Sequence, residues 1–575
     1  MEKRWVYKPN EHPEQAAQLA AELGISPILA NLLVQRGIDS FENARRFFRP
    51  SLDHLHNPFL MADMDRAVER VTQAVQRGEQ ILFYGDYDVD GTTAVALMYS
   101  FFRQQGYTRI GYYIPDRYKE GYGISELGID YAAQNGYTLI IALDCGIKAN
   151  NRVNYAHRHN IDFIICDHHL PGDQIPDAVA VLDPKRPDCQ YPYKHLSGCG
   201  VGFKLLQGYC TRNGIDMEAL YPHLDLLAVS IASDIVPITD ENRVMAYYGL
   251  ERLNTAPSIG LKAIIKAANV QPEHIGIDSI VFRIGPRINA AGRMESGRTA
   301  VDLLCADDEA TAQSICTLIN SCNNDRKHID RSITHEAIRM LAADNRQHHR
   351  HSTVLFNPSW HKGVVGIVAS RLIETYYRPT VVLTQSGDLA TGSARSVPGY
   401  DLYQAIESCA DLLENFGGHT YAAGLTMRVE HVDEFRERFN DYVSRTIDPT
   451  MLSPQVEVDA QIALTDIDDK FFRILKQFQP FGPGNMSPVF ESNGLTDTGD
   501  SRLVGTEKEH LKLSLVQQPA NRQYDAIAFQ LAEHYPDVHR RRPFSICYTL
   551  HENVFKGVTS MQLRVKDIKF ESQNS

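Results

Sequence analysis

Six aspartates and two adjacent histidines stand where short apolar runs end, and together they have the make-up of a metal site. Asp86, Asp88 and Asp90 lie in Gly85-Asp-Tyr-Asp-Val-Asp-Gly91, and Asp144 closes Leu139-Ile-Ile-Ala-Leu143. Asp167-His168-His169 closes Phe163-Ile-Ile-Cys166, and Asp234 falls within the apolar stretch Leu226–Val236. An ionised carboxylate beside so much apolar sequence needs compensation, because burying it unpaired is very costly. No Lys or Arg lies inside these four segments. Divalent cations are the available compensation, and the number of donors suggests two.

Each fragment alone has a plainer reading. Asp-x-Asp-x-Asp-Gly is also a turn or part of a calcium loop, but the twelfth position of an EF-hand requires Glu. Counting from Asp86 gives Leu97 and from Asp88 gives Tyr99, so that reading fails. What argues for a site is the shared placement at the ends of apolar elements. Carboxylates with one imidazole suit Mg²⁺ or Mn²⁺, and the His tilts the choice toward Mn²⁺. Two such ions about 4 Å apart hold the attacking and leaving oxygens of a phosphoryl displacement. An Asp between them can bridge, while the second His of a pair faces the substrate. Two segments offer phosphate donors. Phe282-Arg-Ile-Gly-Pro-Arg-Ile-Asn-Ala-Ala-Gly-Arg-Met294 is expected to be a shaped loop, and Gly392-Ser-Ala-Arg-Ser396 sets an Arg between two hydroxyls. The residues by themselves lead to a two-metal phosphoester hydrolase with a second, Arg-bearing domain across a cleft.

The elements that must position these groups follow from the rhythm of the chain. Residues 1–75 read as short helices, such as Glu14–Leu23 and Phe41–Phe48. From Gln80 onward, apolar runs alternate with helical stretches. Ile81–Tyr84, Leu139–Leu143, Phe163–Cys166 and Ala178–Leu182 look like buried parallel strands, with helices at Thr92–Gln104 and Asn150–His159 between them. That alternation predicts an α/β fold with a doubly wound parallel sheet over residues 76–307, whose ligands bind beyond the strands' carboxyl ends. Residues 308–351 read as a connecting helix ending in His348-His-Arg-His351, a solvated helix end rather than a metal site. A second, smaller α/β unit is expected over 352–447, with strands Val354–Phe356 and Thr380–Leu383 flanking the helix Val364–Tyr376. The turn Phe416-Gly-Gly-His419 follows another helix. From 448 to 575 period-two patterns dominate, as in Leu511/Leu513/Leu515, Phe544/Ile546/Tyr548 and Met561/Leu563/Val565, and predict a small barrel or sandwich. The run His539-Arg-Arg-Arg542 reads as a solvated loop.

The 575 residues exceed one core, and at roughly 150 residues per domain imply about three or four. The net charge of −13 argues against a uniformly basic nucleic-acid binder, although local patches rather than totals set phosphate contacts. There is no signal-peptide pattern at the N-terminus and no apolar run long enough to span a membrane. The ten cysteines include no Cys-x-x-Cys pair, which suggests reduced thiols and a cytoplasmic location.

Taken in order, these motifs resemble the DHH phosphoesterase superfamily, and specifically its RecJ single-strand-specific exonuclease branch. Gly85–Gly91, Leu143–Ile147, Asp167–His169 and Ser233–Pro237 are similar to the successive metal motifs, and Pro115-Asp-Arg117 with Glu120-Gly-Tyr-Gly123 to a substrate-facing loop. Gly198–Gly202, Glu241–Arg243 and Gly285–Arg293 are more specific to the branch. Trp360–Arg371, Gly392–Ser396 and Phe416–His419 resemble the companion DHHA1 domain, and Phe478–Asn485 and His510–Leu513 the entry to an OB-fold. The resemblance implies a 5′-to-3′ exonuclease on single-stranded DNA in recombination and repair, using two divalent cations, Mn²⁺ or Mg²⁺. It implies Asp88, Asp90, Asp144, His168 and Asp234 as metal ligands, with Asp144 bridging. His169 would face the scissile phosphate, and Asp86 is a further catalytic candidate. Arg117, Arg287, Asn289, Arg293, Ser393, Arg395, Gly418 and His419 would bind the strand. A single-strand-binding protein and a RecQ-type helicase are implied as partners of a monomeric enzyme with no membrane association. Two positions depart from the pattern: Asp183 stands where Asn is expected, and Glu295 where Asp is common. The competing reading is a DHH-type phosphodiesterase of short oligonucleotides or cyclic dinucleotides, against which the β-rich tail argues. A non-catalytic scaffold would be expected to have lost ligands, and none is missing.

Overall fold

The computed structural model describes residues 2–344, 349–520, 522–555 and 557–570. His348 of the histidine-rich run and the last five residues of the expected C-terminal domain lie outside the described residues. Two compact units share the chain out of sequence order. One comprises Arg49–His328 and Pro480–Met486; the other comprises Met1–Phe48, Ile329–Gln479 and Ser487–Ser575. The helix Glu309–Ala343 contributes residues to both, and it is shorter than the 308–351 read from periodicity.

The first unit is built on a five-stranded, all-parallel sheet in the order Ile110–Tyr113, Ile81–Gly85, Leu139–Leu143, Asp162–Cys166, Ala180–Leu182. Its inner strands are apolar along nearly their whole length, aliphatic and aromatic, because both faces are covered. Alternate residues serve opposite cores. Phe83, Ile141 and Ile164 pack with the helices Met64–Arg77, Val89–Gln104 and Gly198–Asn213. Tyr84, Ile140 and Phe163 pack with Glu126–Gln134 and Asn150–Arg158. The edge strand Ile110–Tyr113 was not anticipated, since it is short and only half-buried. The chain leaves Ile81–Gly85 to one side for its next strand and returns on the other side for Leu139–Leu143. The carboxyl ends at Gly85 and Leu143 therefore flank the switch point, where open α/β sheets place ligands. Phe282–Met294 is not the loop expected from its glycines and proline. A π-helical turn at Ile280–Ile284 runs into the helix Gly285–Met294. Pro286 lies in the first turn of that helix, and its fixed φ is compatible with it.

Among the described residues the second unit holds two larger sheets and one two-stranded sheet. A mixed five-stranded sheet runs Leu413–His419, Ala422–Arg428, Leu389–Arg395, Thr380–Ser386, Thr353–Phe356. Phe416–His419, expected as a turn, is part of its edge strand, and Gly392–Arg395 lies on its central strand. The C-terminal strands Phe490–Asp497, His510–Gln517, Tyr524–Ala528, Phe544–Phe555 and Val558–Phe570 close on themselves. The first pairs with both the second and the fourth, and the third and fifth run parallel. This is the five-stranded closure of an OB barrel, and Leu511, Leu513, Leu515, Phe544, Ile546 and Tyr548 fill it. A parallel pairing of Arg4–Tyr7 with Gln455–Val458 belongs to the same unit. The run His539–Arg542 is held locally, with Arg542 3.0 Å from Asp537 and Arg541 donating to the Thr498 carbonyl. Among the described residues no single helix is long and apolar enough to cross a membrane, and all ten cysteines are free thiols.

Candidate metal centre

Four elements deliver the acidic groups to one place. Asp86 follows the end of the strand Ile81–Gly85. Asp88 then caps the helix Val89–Gln104, accepting from Gly91 N–H, and Asp90 sits in that helix's first turn. The approach is close, because a Cβ on Gly91 would lie 2.5 Å from the Asp86 carbonyl oxygen. Asp144 follows Leu143 with a φ of +61°, an uncommon conformation for a non-glycine residue. Asp234 follows the helix Leu224–Ser233, and the next residue, Ile235, is again left-handed at +60°. Strained backbone of this kind persists where surrounding structure over-determines it, and it clusters at functional sites.

Their side chains meet at His168. Its Nε2 lies 3.2 Å from Asp144 Oδ1, 3.5 Å from Asp234 Oδ2 and 3.8 Å from Asp90 Oδ2. Two sets of three donors emerge, Asp90–His168–Asp234 and Asp86–Asp88–Asp144, each with its atoms within 4.8 Å of one another. Asp144 belongs to a third such set with His168 and His169, and so joins the two. Asp86, expected as a catalytic group, thus lies inside a donor set. Asp86 Oδ1, Asp144 Oδ1 and both ring nitrogens of His168 are buried without a hydrogen-bond partner. Burial, reinforced by neighbouring carboxylates, pushes Asp86, Asp88 and Asp144 above the usual carboxylate range and Asp234 up to about 8. Burial also holds His168 down at about 4, leaving the neutral ring that metals bind. Crowded acids, orphaned oxygens and a neutral imidazole are the donor set that divalent cations fit.

The scaffold behind these groups is specific. Asp90 accepts from Gly198 N–H (2.6 Å), Cys199 N–H (2.8 Å) and the Ser230 hydroxyl (2.7 Å), so the start of the helix Gly198–Asn213 fixes its carboxylate. A Cβ on Gly198 would fall 2.5 Å from that of Asp144, so only glycine fits. Asp167 belongs to none of the three donor sets and instead bonds to the histidine pair. Its Oδ1 faces His169 Nδ1 at 2.7 Å, and its Oδ2 accepts from Ile147 N–H. Burial would raise Asp167, but these bonds and the His169 charge bring it down to about 2. Burial would lower His169, but Asp167 lifts it to about 9. Sequence reasoning placed Asp167 in the motif without assigning this role; the adjacency in Asp-His-His was the available signal. Ser230 gave none, because its partner Asp90 is remote in the chain.

The other expected residues divide. Arg117 stacks 4.9 Å from the Tyr87 ring, between Asp86 and Asp88 in sequence. Arg293 and Asn289 lie on the helix Gly285–Met294, which packs on the same loop: a Cβ on Gly292 would lie 2.5 Å from the Tyr87 carbonyl oxygen. Arg287 is instead engaged with the fold, donating to Asn320, Arg283 and Ala267. Asp183 is buried, with one oxygen accepting from Lys185 N–H and the other without a partner; burial pushes it up to about 7. In the second unit, Arg395 donates to the Ser393 hydroxyl at 2.7 Å. A Cβ on Gly366 would lie 3.0 Å from Arg395 Nη2 and 3.1 Å from Ser393 Oγ, so the first turn of the helix Val365–Tyr376 faces both. Gly418 pairs with Ala423 so closely that a Cβ there would strike the Ala422 carbonyl, and His419 pairs with Ala422.

Residues 80–231 match the DHH family N-terminal domain, 351–445 the DHHA1 domain and 458–567 the RecJ OB domain. The single-stranded-DNA-specific exonuclease RecJ of Bacillus subtilis is 35% identical over 98% of this chain and 70% of its own. That of Salmonella typhimurium is 32% identical over 96% of this chain and 97% of its own. This chain belongs to the RecJ family. RecJ from Thermus thermophilus in complex with Mn²⁺ superposes with a TM-score of 0.84 at 26% identity, covering 99% of this chain and 80% of that one. The Mg²⁺ complex of the same RecJ gives 0.78 at 25% identity, covering 99% and 78%.

Proposed function

We propose that this chain is a metal-dependent exonuclease that hydrolyses single-stranded DNA from the 5′ end, in recombination and repair in the cytoplasm. The observation that carries this reading is the pair of three-donor sets joined at Asp144 and His168. Asp90, His168 and Asp234 would hold one divalent cation, and Asp86, Asp88 and Asp144 the second, with Asp144 shared. When bound, such a pair lowers the pKa of water and neutralises charge developing on a phosphoryl group. The remaining work falls to the protein's own groups. His169, held by Asp167 through Nδ1, turns Nε2 toward a phosphate oxygen and can donate a proton to it. Arg117 and Arg293 bind the backbone next to the scissile position. Support for 5′ polarity comes from Ser393 and Arg395, set against the first turn of Val365–Tyr376, because a guanidinium with a helix N-terminus is suited to a terminal phosphate. The OB barrel offers a stacking platform. Phe529 is 46% exposed, with Arg564 5.3 Å and His510 5.0 Å from its ring, an arrangement suited to unpaired bases. A substrate of only two nucleotides would have no use for that platform. A single-strand-binding protein and a RecQ-type helicase are the partners proposed for a monomeric enzyme.

Digestion of end-labelled single-stranded DNA with Mn²⁺, Mg²⁺ or EDTA tests the proposal. Metal-dependent release of mononucleotides from the 5′ end is expected. Equal degradation of a strand whose 5′ end is blocked would overturn the polarity, and preference for dinucleotides over long strands would overturn the substrate.

A further inference from the structure

We infer that Tyr122 is a positioning residue for His169, its hydroxyl fixing the direction in which the free edge of that imidazole points. The inference rests on the exonuclease reading above. The segment carrying Tyr122 is locked at its base. The Glu120 carboxylate accepts from Asp116 N–H at 2.7 Å, the Tyr113 hydroxyl at 3.0 Å and the Ser125 hydroxyl at 2.5 Å. On the far side, the Tyr84 hydroxyl donates to the Gly123 carbonyl and accepts from Ser125 N–H. Between these anchors, Gly121 and Gly123 both adopt left-handed backbone, with φ of +84° and +82°. The chain therefore turns out and back around one residue, and only Tyr122 projects.

The residue is 58% exposed, so core packing does not explain a large aromatic there. Its hydroxyl lies 3.4 Å from His169 Nε2 and 3.4 Å from the Asp144 carbonyl oxygen. The ring stands edge-on to both His169 and Tyr87, with centroids 6.1 and 6.4 Å apart. Asp167 grips the His169 ring at Nδ1 alone. One grip leaves the opposite edge free to tilt, and a second contact at Nε2 removes that freedom. Both Tyr122 contacts are long, so a phosphate oxygen arriving at Nε2 can replace the hydroxyl without breaking a strong bond.

The test is Tyr122→Phe, which keeps the ring and removes the hydroxyl, alone and in a His169→Ala background. Alone, kcat on single-stranded DNA should fall about three- to tenfold, with KM changed less than about twofold. In the His169→Ala background the same change should have no further effect. Equal losses in both backgrounds, or a raised KM with kcat intact, would show that the hydroxyl touches DNA instead and would overturn the inference. A DNA-free readout separates this from the function itself. In the Mg²⁺-loaded protein, the His169 ring-nitrogen NMR signals should differ between wild type and Tyr122→Phe. Unchanged signals defeat the inference even in an active nuclease. Shifted signals in a protein whose wild type cleaves no DNA defeat the nuclease reading and leave the positioning role standing.

Discussion

Asp144 shows how a single carboxylate can serve the site and strain the fold at once. It is buried, left-handed, within reach of His168, and crowded by Asp90, Asp88 and Asp234. Asp144→Asn should therefore abolish nuclease activity in saturating Mn²⁺ while leaving the melting temperature in EDTA equal or higher; retained turnover would remove Asp144 from the centre. A pH dependence follows from the same crowding. Asp86, Asp88, Asp144 and Asp234 are all raised in the folded state, Asp234 to about 8. The folded chain then holds protons that the unfolded chain has released. The associated stability is full below the ordinary carboxylate value of about 4 and is lost as pH rises through the folded values. The chelated protein should melt at progressively lower temperature between about pH 5 and 8, and saturating Mn²⁺ should remove most of that slope. A chelated melting curve that rises with pH over this window would contradict the assignment.

At the level of elements, the helix Gly198–Asn213 locates the site as firmly as the strands do. Its first N–H groups hold Asp90, and its first residue leaves room for Asp144. Gly198→Ala should displace Asp144 and cost about a hundredfold or more in kcat, with the circular dichroism spectrum unchanged; near-normal turnover would mean that the close approach is not needed. Parallel strands and their terminal aspartates were legible in the sequence because aliphatic runs ending in Asp are local signals. The glycine of Gly198–Gly202 could be flagged by composition, but its contact with Asp144 crosses the fold and leaves no local trace. The same holds for Ser230 and Tyr122. Phe282–Met294 misled because Gly and Pro are loop formers in general, yet Pro286 sits where a helix begins. Phe416–His419 misled because paired glycines suggest a turn, whereas here Gly418 lets two strands approach closely. Arg287 was singled out for its charge, and only coordinates reveal its engagement with Asn320 and Ala267.

Over the whole molecule, a net charge of −13 means that single-stranded DNA must be gathered by local features. On the barrel, Phe529 with Arg564 and His510 is one such feature. Phe529→Ala should weaken binding of a long single strand by about 1–3 kcal/mol while leaving cleavage of the shortest oligomers nearly unchanged; equal losses on both lengths would place Phe529 outside the strand's path. The order in which the chain builds its units has a further outcome. Pro480–Met486 belongs with Arg49–His328, and the Pro483 carbonyl accepts from Ile238 N–H at 2.7 Å, four residues past Asp234. A ribosome that has released the first 328 residues has not yet supplied that tie. The segment that follows Asp234 in a nascent polypeptide therefore gains this backbone tie only late in synthesis, and a message truncated before codon 483 yields a product that never gains it.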